Sequence, residues 1–478
     1  MGQPRYVCFL LIGVAVLPLF CLVYFGNPWS SCGGESVRGT NLFVNSLGSR
    51  LGYRGESWAG SNATKVTGDA GEESSPEDNV GSGPDGNPYP FYPWWPSFCE
   101  MVLDSEAAKG TKSGEQRHGD KVPKMAITKM LYSLVHFMGL HETPDSPYDV
   151  TERPVPLEFD CESEKYKPFL TGWTREKPVK VAWGFQFAGE VPVLDIGLHE
   201  LDGVVDHYII YESTATHRNV RKPLFFESHK LRYERFLDRI VHLVSDDAHV
   251  PVSSFLEPPR QGSISGLDSK DHTRLTSKVK ELTDILSDDD FFVMGDLDEI
   301  PDYRFLYHLK NCEVDESYFP SYSNTIFYIN DFRHLFKGDH PPSQSFKYSH
   351  KHPTIHTFKQ TKDITVARNF SMKVKAVPPL GGYHISNPPF LPSLVSKFYG
   401  STGYGGGPIT SNMTEWFEMY RRGEPIIKYG WKGRVVDPQG AKVPEIYREA
   451  FHLPWLVEHN KDKFPFFFLG EPSKVFEG

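Results

Sequence analysis

Residues 179–188, VKVAWGFQFA, form a run of apolar and aromatic positions interrupted only by Lys180, Gly184 and Gln186. A run of this kind predicts a strand buried on both faces. The next segment, EVPVLDIGLHELDG (190–203), spaces its apolar residues as a helix does, and DHYIIYES (206–213) reads again as a strand. RYERFLDR (232–239) predicts a short helix, IVHLVSDD (240–247) a strand, and TRLTSKVKELTDILSD (273–288) an amphipathic helix, before FFVMGD (291–296) supplies another strand. Further upstream, KMAITKMLYSLVHFMGL (124–140) has helical spacing and carries His136, whose position on such a helix fits a packing or surface residue. Strands alternating with helices predict an α/β domain with a mostly parallel central sheet covered on both faces.

The N-terminal pattern is different. Tyr6 to Phe25 carries no charge, and about 20 apolar residues span a bilayer core. Only Arg5 precedes it, so residues 1–5 read as a cytoplasmic tail, 6–25 as a transmembrane signal anchor, and the remainder as lumenal. A cleaved signal peptide is the rival reading, with small residues available in the SSC that follows; its apolar core would exceed the usual length of about 7–15 residues. Residues 26–122 read as a flexible stalk rich in Gly, Ser, Asp and Glu, broken by the Pro-aromatic cluster YPFYPWWPSFCEMV (89–102). Residues 123–177 form a helical and loop lead-in to a catalytic region at 178–470.

Composition narrows the function classes. A formal charge of −10 argues against a nucleic-acid partner, and 14% aromatic residues fit a folded, loop-rich protein. Cys8 and Cys21 fall within the apolar run, which leaves Cys32, Cys99, Cys161 and Cys312 for disulfides in an oxidising lumen, with no pairing readable from sequence. No Cys/His spacing suggests zinc. The sequons at Asn62, Asn369 and Asn412 are candidate glycosylation sites that agree with a lumenal chain.

Chemistry concentrates where predicted strands end, the edge at which parallel sheets bind ligands. Glu190, Glu212 with Ser213, Asp246 with Asp247, and Asp296 with Asp298 all fall at such ends. The stretch FFVMGDLDEIPD (291–302) allows two readings. In one, a strand ends in a polar loop and Asp298 caps a helix starting near Pro301. In the other, Asp296 and Asp298 converge on a hard cation such as magnesium, manganese or calcium. An EF-hand is excluded, because Pro301 stands where that loop needs glycine and the terminal glutamate is absent. An aspartyl-phosphate phosphatase would need a downstream lysine and a second acidic pair that the sequence does not supply.

The longer string GDLDEIPDYRFLYHLK resembles the metal-binding segment of glycosyltransferase family 17, the β-1,4-mannosyl-glycoprotein N-acetylglucosaminyltransferases. EVPVLDIGLHELDGVVDHYIIYESTATHRNVRKPLFFES is similar to the family's opening strand-helix-strand block, and GGYHIS (381–386) to its Gly-Trp-His segment. Gly189 stands where members often carry asparagine, Tyr383 replaces tryptophan, and Ile385 and Asn387 occupy a neighbourhood where animal members carry cysteine. These departures bear on the acceptor rather than on the reaction class.

The resemblance implies a GT-A-like, Rossmann-type domain binding a nucleotide sugar. It implies a divalent cation, manganese or magnesium, held by Asp296 and Asp298, with His384 a third metal ligand or a phosphate contact and a structural histidine as its other reading. Glu190, Glu212, Asp296 and Lys222 would meet the nucleotide sugar; a helix cap and a solvated strand end are the plain alternatives for Glu190 and Glu212. Arg274 and Lys222 would help neutralise phosphate. Asp298 and Glu299 would be the catalytic acids, with Asp302 either a further acid or the helix cap, and the sequence does not choose a base. The implied reaction inverts the anomeric centre, moving N-acetylglucosamine from UDP-GlcNAc to a mannose of an N-linked glycan; the alternatives are a glycosyltransferase of the same fold with a different sugar donor or acceptor, and a non-catalytic glycan-binding membrane protein, against which the intact DLDEIP run argues. The implied location is the Golgi membrane, single-pass type II, with the catalytic region lumenal.

Overall fold

The structure is a computed structural model, which describes residues 124–141, 148–149, 151–154, 158–217, 220–246, 264–329, 331–332, 335–338, 349–365, 367–368, 375–376, 378–386, 391–400, 433–436, 450–464 and 467. The expected anchor at 6–25, the stalk, the Pro-aromatic cluster and the three sequons lie outside the described residues. Among the described residues no helix is long and apolar enough to cross a membrane.

Helix α1 (Lys124–His141) and strand β1 (Leu170–Thr174) precede the alternating region. There β2 (Val181–Gln186), α2 (Val191–Glu200) and β3 (His207–Ser213) appear where the apolar pattern puts them. After a one-turn helix α3 (Phe225–Ser228), residues Lys230–Arg239 coil as 3-10 rather than α, and β4 (Ile240–Ser245) follows. Then come α4 (Ile264–Val279), β5 (Phe291–Asp296), a two-residue strand β6 (Glu299–Ile300), α5 (Tyr303–Asn311) and β7 (Cys312–Val314). The remaining elements are β8 (Ser321–Ile329), β9 (Leu335–Gly338), β10 (Ser349–Thr357), α6 (Phe358–Asp363), β11 (Leu380–Ser386), α7 (Leu391–Gly400), β12 (Gly433–Val436) and α8 (Trp455–His459).

The sheet order is β12-β9-β8-β10-β5-β2-β3-β4. Strands β5, β2, β3 and β4 run parallel, as the strand-helix alternation predicts. Beyond β5 the sheet continues antiparallel through β10, β8 and β9. Strand β11 leaves this path, pairing parallel with β8 and antiparallel with β6. The fold is therefore mixed α/β. Val181–Phe185 and Phe291–Met294 are buried, which explains why neither run alternates polar with apolar. On one face Ala182, Ile209, Phe292 and Met294 pack with Leu275 and Val279 of α4. Trp183 lies against Gly197 of α2 on the other, where an added Cβ would come within 2.6 Å of the indole.

One predicted helix is displaced. The pattern at 273–288 suggested a helix there, whereas α4 begins earlier and ends at Val279. Leu282 and Leu286 keep their helical spacing, but successive turns bring them to the core, Leu286 buried and Leu282 half-buried. Asp290 fixes the last of these, accepting from Ser287 N at 2.7 Å, Ser287 Oγ at 2.8 Å and Lys180 N at 2.7 Å. Helix α2 is buried on every side, including Asp195, His199 and Glu200. Its charges are matched: Arg232 Nη2 lies 2.6 Å from Asp195 Oδ2, and Arg153 Nη1 lies 2.9 Å from Glu200 Oε1. Cys161 and Cys312 form a disulfide that ties the lead-in to β7, which also pairs with β1.

Candidate functional site

The turn after β5 is built by Glu299. Its Oε2 accepts from Asp296 N at 2.8 Å, folding the carboxylate back over Gly295. A Cβ at Gly295 would stand 2.6 Å from that same oxygen and 2.7 Å from Pro353, so only glycine fits. Strand β6 then sets Glu299 opposite His384 on β11, and Ile385 N donates to Asp298 O at 2.9 Å. Backbone pairing thus brings the GDLDEIP and GGYHIS segments together across the crevice. The helix-cap reading of this stretch is resolved by Asp302, which caps α5 by accepting from Arg304 N at 3.0 Å. Asp298 is not the cap, and the helix starts at Tyr303 rather than at Pro301.

Asp298 is buried, and its two oxygens face different partners. Oδ2 lies 2.7 Å from Lys397 Nζ, and Oδ1 lies 3.8 Å from His384 Nε2. Burial by itself would raise the Asp298 carboxyl; Lys397 and then His384 outweigh it and hold the group below its ordinary value. His384 is stacked on Phe327 with ring centroids 4.3 Å apart, which fixes its plane.

Asp296 has other neighbours. Its Oδ2 is 2.9 Å from Arg368 Nη2 and its Oδ1 is 3.6 Å from His272 Nε2 on α4. Its side chain keeps 43% of its surface open. Burial by the surrounding atoms, with the Glu299 and Asp298 charges nearby, pushes it up to about 7 against the pull of Arg368 and His272. Glu299 is 1% exposed, and its other oxygen lies 2.5 Å from Arg368 Nη2. Both Glu299 oxygens are thus engaged in holding the turn.

The remaining predicted residues divide into two groups. Glu190 occupies the N-cap position of α2 without capping it through its side chain. Its Oε2 accepts from Ala188 N at 3.2 Å, and its Oε1 lies 3.7 Å from Lys397 Nζ, so it joins the Asp298 cluster. The preceding Gly189 has φ +103°, a conformation that glycine and asparagine tolerate better than other residues, and these are the two residues compared at this position above. Glu212 is fully buried beside this cluster. It accepts from Phe226 N at 3.1 Å, lies 3.0 Å from His242 Nε2, and faces buried Lys222 at 3.8 Å. Burial lowers the Lys222 ammonium, against the charges of Glu212, Glu190 and Asp271. The solvated strand-end reading of Glu212 is therefore replaced by a buried ion pair. Arg274 is partly exposed, 3.3 Å from Asp271 Oδ1.

Sequence reasoning missed Lys397, Arg368 and His272. Lys397 comes from α7, whose Ser393 and Ser396 hydroxyls donate to Gly189 O at 2.8 Å and Ala188 O at 2.7 Å. No local motif marks a lysine on a helix as reaching a carboxylate a hundred residues away.

Among the described residues no group of three or more His, Cys, Asp or Glu is placed to hold a metal ion. Sites that bind magnesium-like ions through substrate phosphates need only one or two protein ligands. Asp298 Oδ1 and His384 Nε2, 3.8 Å apart, fit that smaller donor set. Asp296, turned to Arg368 and His272, lies outside it.

Residues 126–355 match the family model for glycosyltransferase family 17. Together with the acidic crevice at the carboxyl edge of a parallel sheet, this defines a glycosyltransferase. The stretch 126–355, a little under half of the chain, is a glycosyltransferase family 17 segment. The match covers Glu190, Glu212, Lys222 and the Asp296–Glu299 turn, and ends before Arg368, His384 and Lys397. None of the curated proteins compared with the chain matches it.

Proposed function

We propose that this glycosyltransferase moves N-acetylglucosamine from UDP-GlcNAc to a mannose of an N-linked glycan, forming a β-1,4 linkage with inversion. The reading places a divalent cation, manganese or magnesium, on Asp298 and His384, and the catalytic region in the Golgi lumen behind the anchor at 6–25. One observation carries the metal-assisted chemistry: Asp298 and His384 approach within 3.8 Å at the carboxyl edge of the sheet, although 86 positions separate them. The cation, when bound, supplies Lewis-acid stabilisation of the charge that collects on the departing diphosphate.

The protein's own groups prepare the site for that step. Glu299 and Arg368 lock the turn so that Asp298 is presented from a rigid backbone. Phe327 holds the His384 ring, and the β6–β11 pairing sets its distance from Asp298. Glu190, at the entrance to α2, and the Lys222–Glu212 pair border the place where the nucleotide would lie.

The test is a donor and acceptor screen with the purified full-length chain. Transfer from UDP-GlcNAc to a mannose of an N-glycan, abolished by EDTA and restored by Mn2+, is the expected result. Transfer only from another nucleotide sugar, or only to another acceptor, replaces the donor or acceptor assignment. Full activity in EDTA removes the metal.

A further inference from the structure

The geometry points to Lys397 as an exchangeable counter-cation: it neutralises Asp298 and Glu190 in the free enzyme and turns to the donor's diphosphate in the complex. This rests on the metal-assisted reading above and assigns a residue that lies outside the stretch matched by the family model.

Four carboxylates line this crevice: Glu190, Asp296, Asp298 and Glu299. Two cations, Lys397 and Arg368, face them. Four carboxylates facing two cations leave the crevice acidic, which suits a divalent cation. A nucleotide-sugar diphosphate then brings two more negative charges, and a mobile positive group is needed beside it. Arg368 cannot serve, because one guanidinium nitrogen is held between Asp296 at 2.9 Å and Glu299 at 2.5 Å on the turn itself. Lys397 can. Its ammonium is 2.7 Å from Asp298 Oδ2 and 3.7 Å from Glu190 Oε1, and its side chain is 18% exposed.

The backbone beneath Lys397 is pinned, and its ammonium, paired with Asp298, sits at the end of a long stem. Ser393 and Ser396 anchor α7 to the carbonyls of Gly189 and Ala188, so the helix stays against the crevice. A four-carbon stem lets the ammonium swing by a few ångströms without moving that helix. The Asp298 oxygen that Lys397 occupies and the one that faces His384 belong to the same carboxylate, so a cation on Asp298 and the ammonium repel each other across it. The Lys397 ammonium is displaced toward the phosphates. In the transfer, the sugar C1–O bond to the β-phosphate breaks and its electron pair stays on the phosphate oxygen. The acceptor hydroxyl oxygen forms the new bond to C1 and gives its proton to a base. Lys397 stabilises the oxygen that receives the electron pair.

Two binding measurements on the detergent-solubilised full-length chain test this. The first is Mn2+ alone, followed by the electron paramagnetic resonance signal of the free ion; the second is UDP at saturating Mn2+, by calorimetry. Lys397→Met is expected to bind Mn2+ alone about tenfold more tightly, and UDP about tenfold more weakly, within the usual range of coupling between charged ligands. Lys397→Gln is the second variant should Lys397→Met not fold, with the same two expectations. Unchanged binding, or both affinities moving in the same direction, overturns the exchange and leaves a structural ion pair. A wild-type chain that binds Mn2+ neither alone nor together with UDP overturns the metal reading and this inference together. A chain that shows the opposed shifts but transfers no N-acetylglucosamine overturns only the donor assignment.

Discussion

Asp296 and Asp298 lie two residues apart on one turn, yet their surroundings act in opposite directions. Asp298 faces a lysine and a histidine brought from α7 and β11, and is held below its ordinary value. Asp296 is pushed up to about 7 by burial and then by the Glu299 charge, against the pull of Arg368 and His272. A two-residue acidic motif therefore need not act as one ligand set. The elements that fold over the turn set the two carboxylates apart, and in the proposed function it is Asp298 that meets the cation.

The sharpest way to break this comparison is to neutralise each partner in turn. Asp298→Asn should lower transfer by roughly a thousandfold, since the metal contribution amounts to several kcal/mol; steady-state rates at saturating Mn2+ measure it. Equal losses from Asp298→Asn and Asp296→Asn would erase the distinction between the two acids. Next in size is Glu299→Gln, which leaves Arg368 short of a buried partner. It should cost about 3–4 kcal/mol of stability, read from urea unfolding.

Glu200 supplies a control away from the crevice. It is buried on α2 with Arg153 as its cationic partner, and burial pushes its pKa up to about 7. A raised carboxyl contributes its full stability below its unfolded value, and that contribution is lost as pH rises through the folded value. The wild type should therefore lose up to about 3 kcal/mol relative to Glu200→Gln between pH 4.5 and pH 8. Urea midpoints at both pH values measure the difference. The smallest expected effect is Asp296→Asn, which should reduce transfer about tenfold while leaving metal binding in place, because Arg368 keeps Glu299.

Much of the fold could be read from the apolar pattern. FFVMGD forms β5 over the residues expected, because a fully buried strand with a polar turn behind it is a strong local signal. The 3.6-residue spacing at 273–288 misled for a physical reason: Leu282 and Leu286 are packed against the core by turns that Asp290 closes, not by a helix. In the site, the GDLDEIP and GGYHIS segments were legible as segments, and β6–β11 pairing joins them. The cations were not legible. Lys397 and Arg368 lie on elements distant in sequence, and nothing local distinguishes them from surface charges. The Cys161–Cys312 bond escaped for the same reason, with 151 positions between its ends.

The central claim is that Asp298, with His384, is the cation-holding end of the motif. UDP binding to the full-length chain, measured with and without Mn2+ in the wild type, Asp298→Asn and Asp296→Asn, tests it most directly. The expected result is binding that requires Mn2+ in the wild type, disappears in Asp298→Asn and persists within about tenfold in Asp296→Asn. Wild-type binding that is equal with and without Mn2+, or Mn2+-dependent binding that survives in Asp298→Asn, contradicts it.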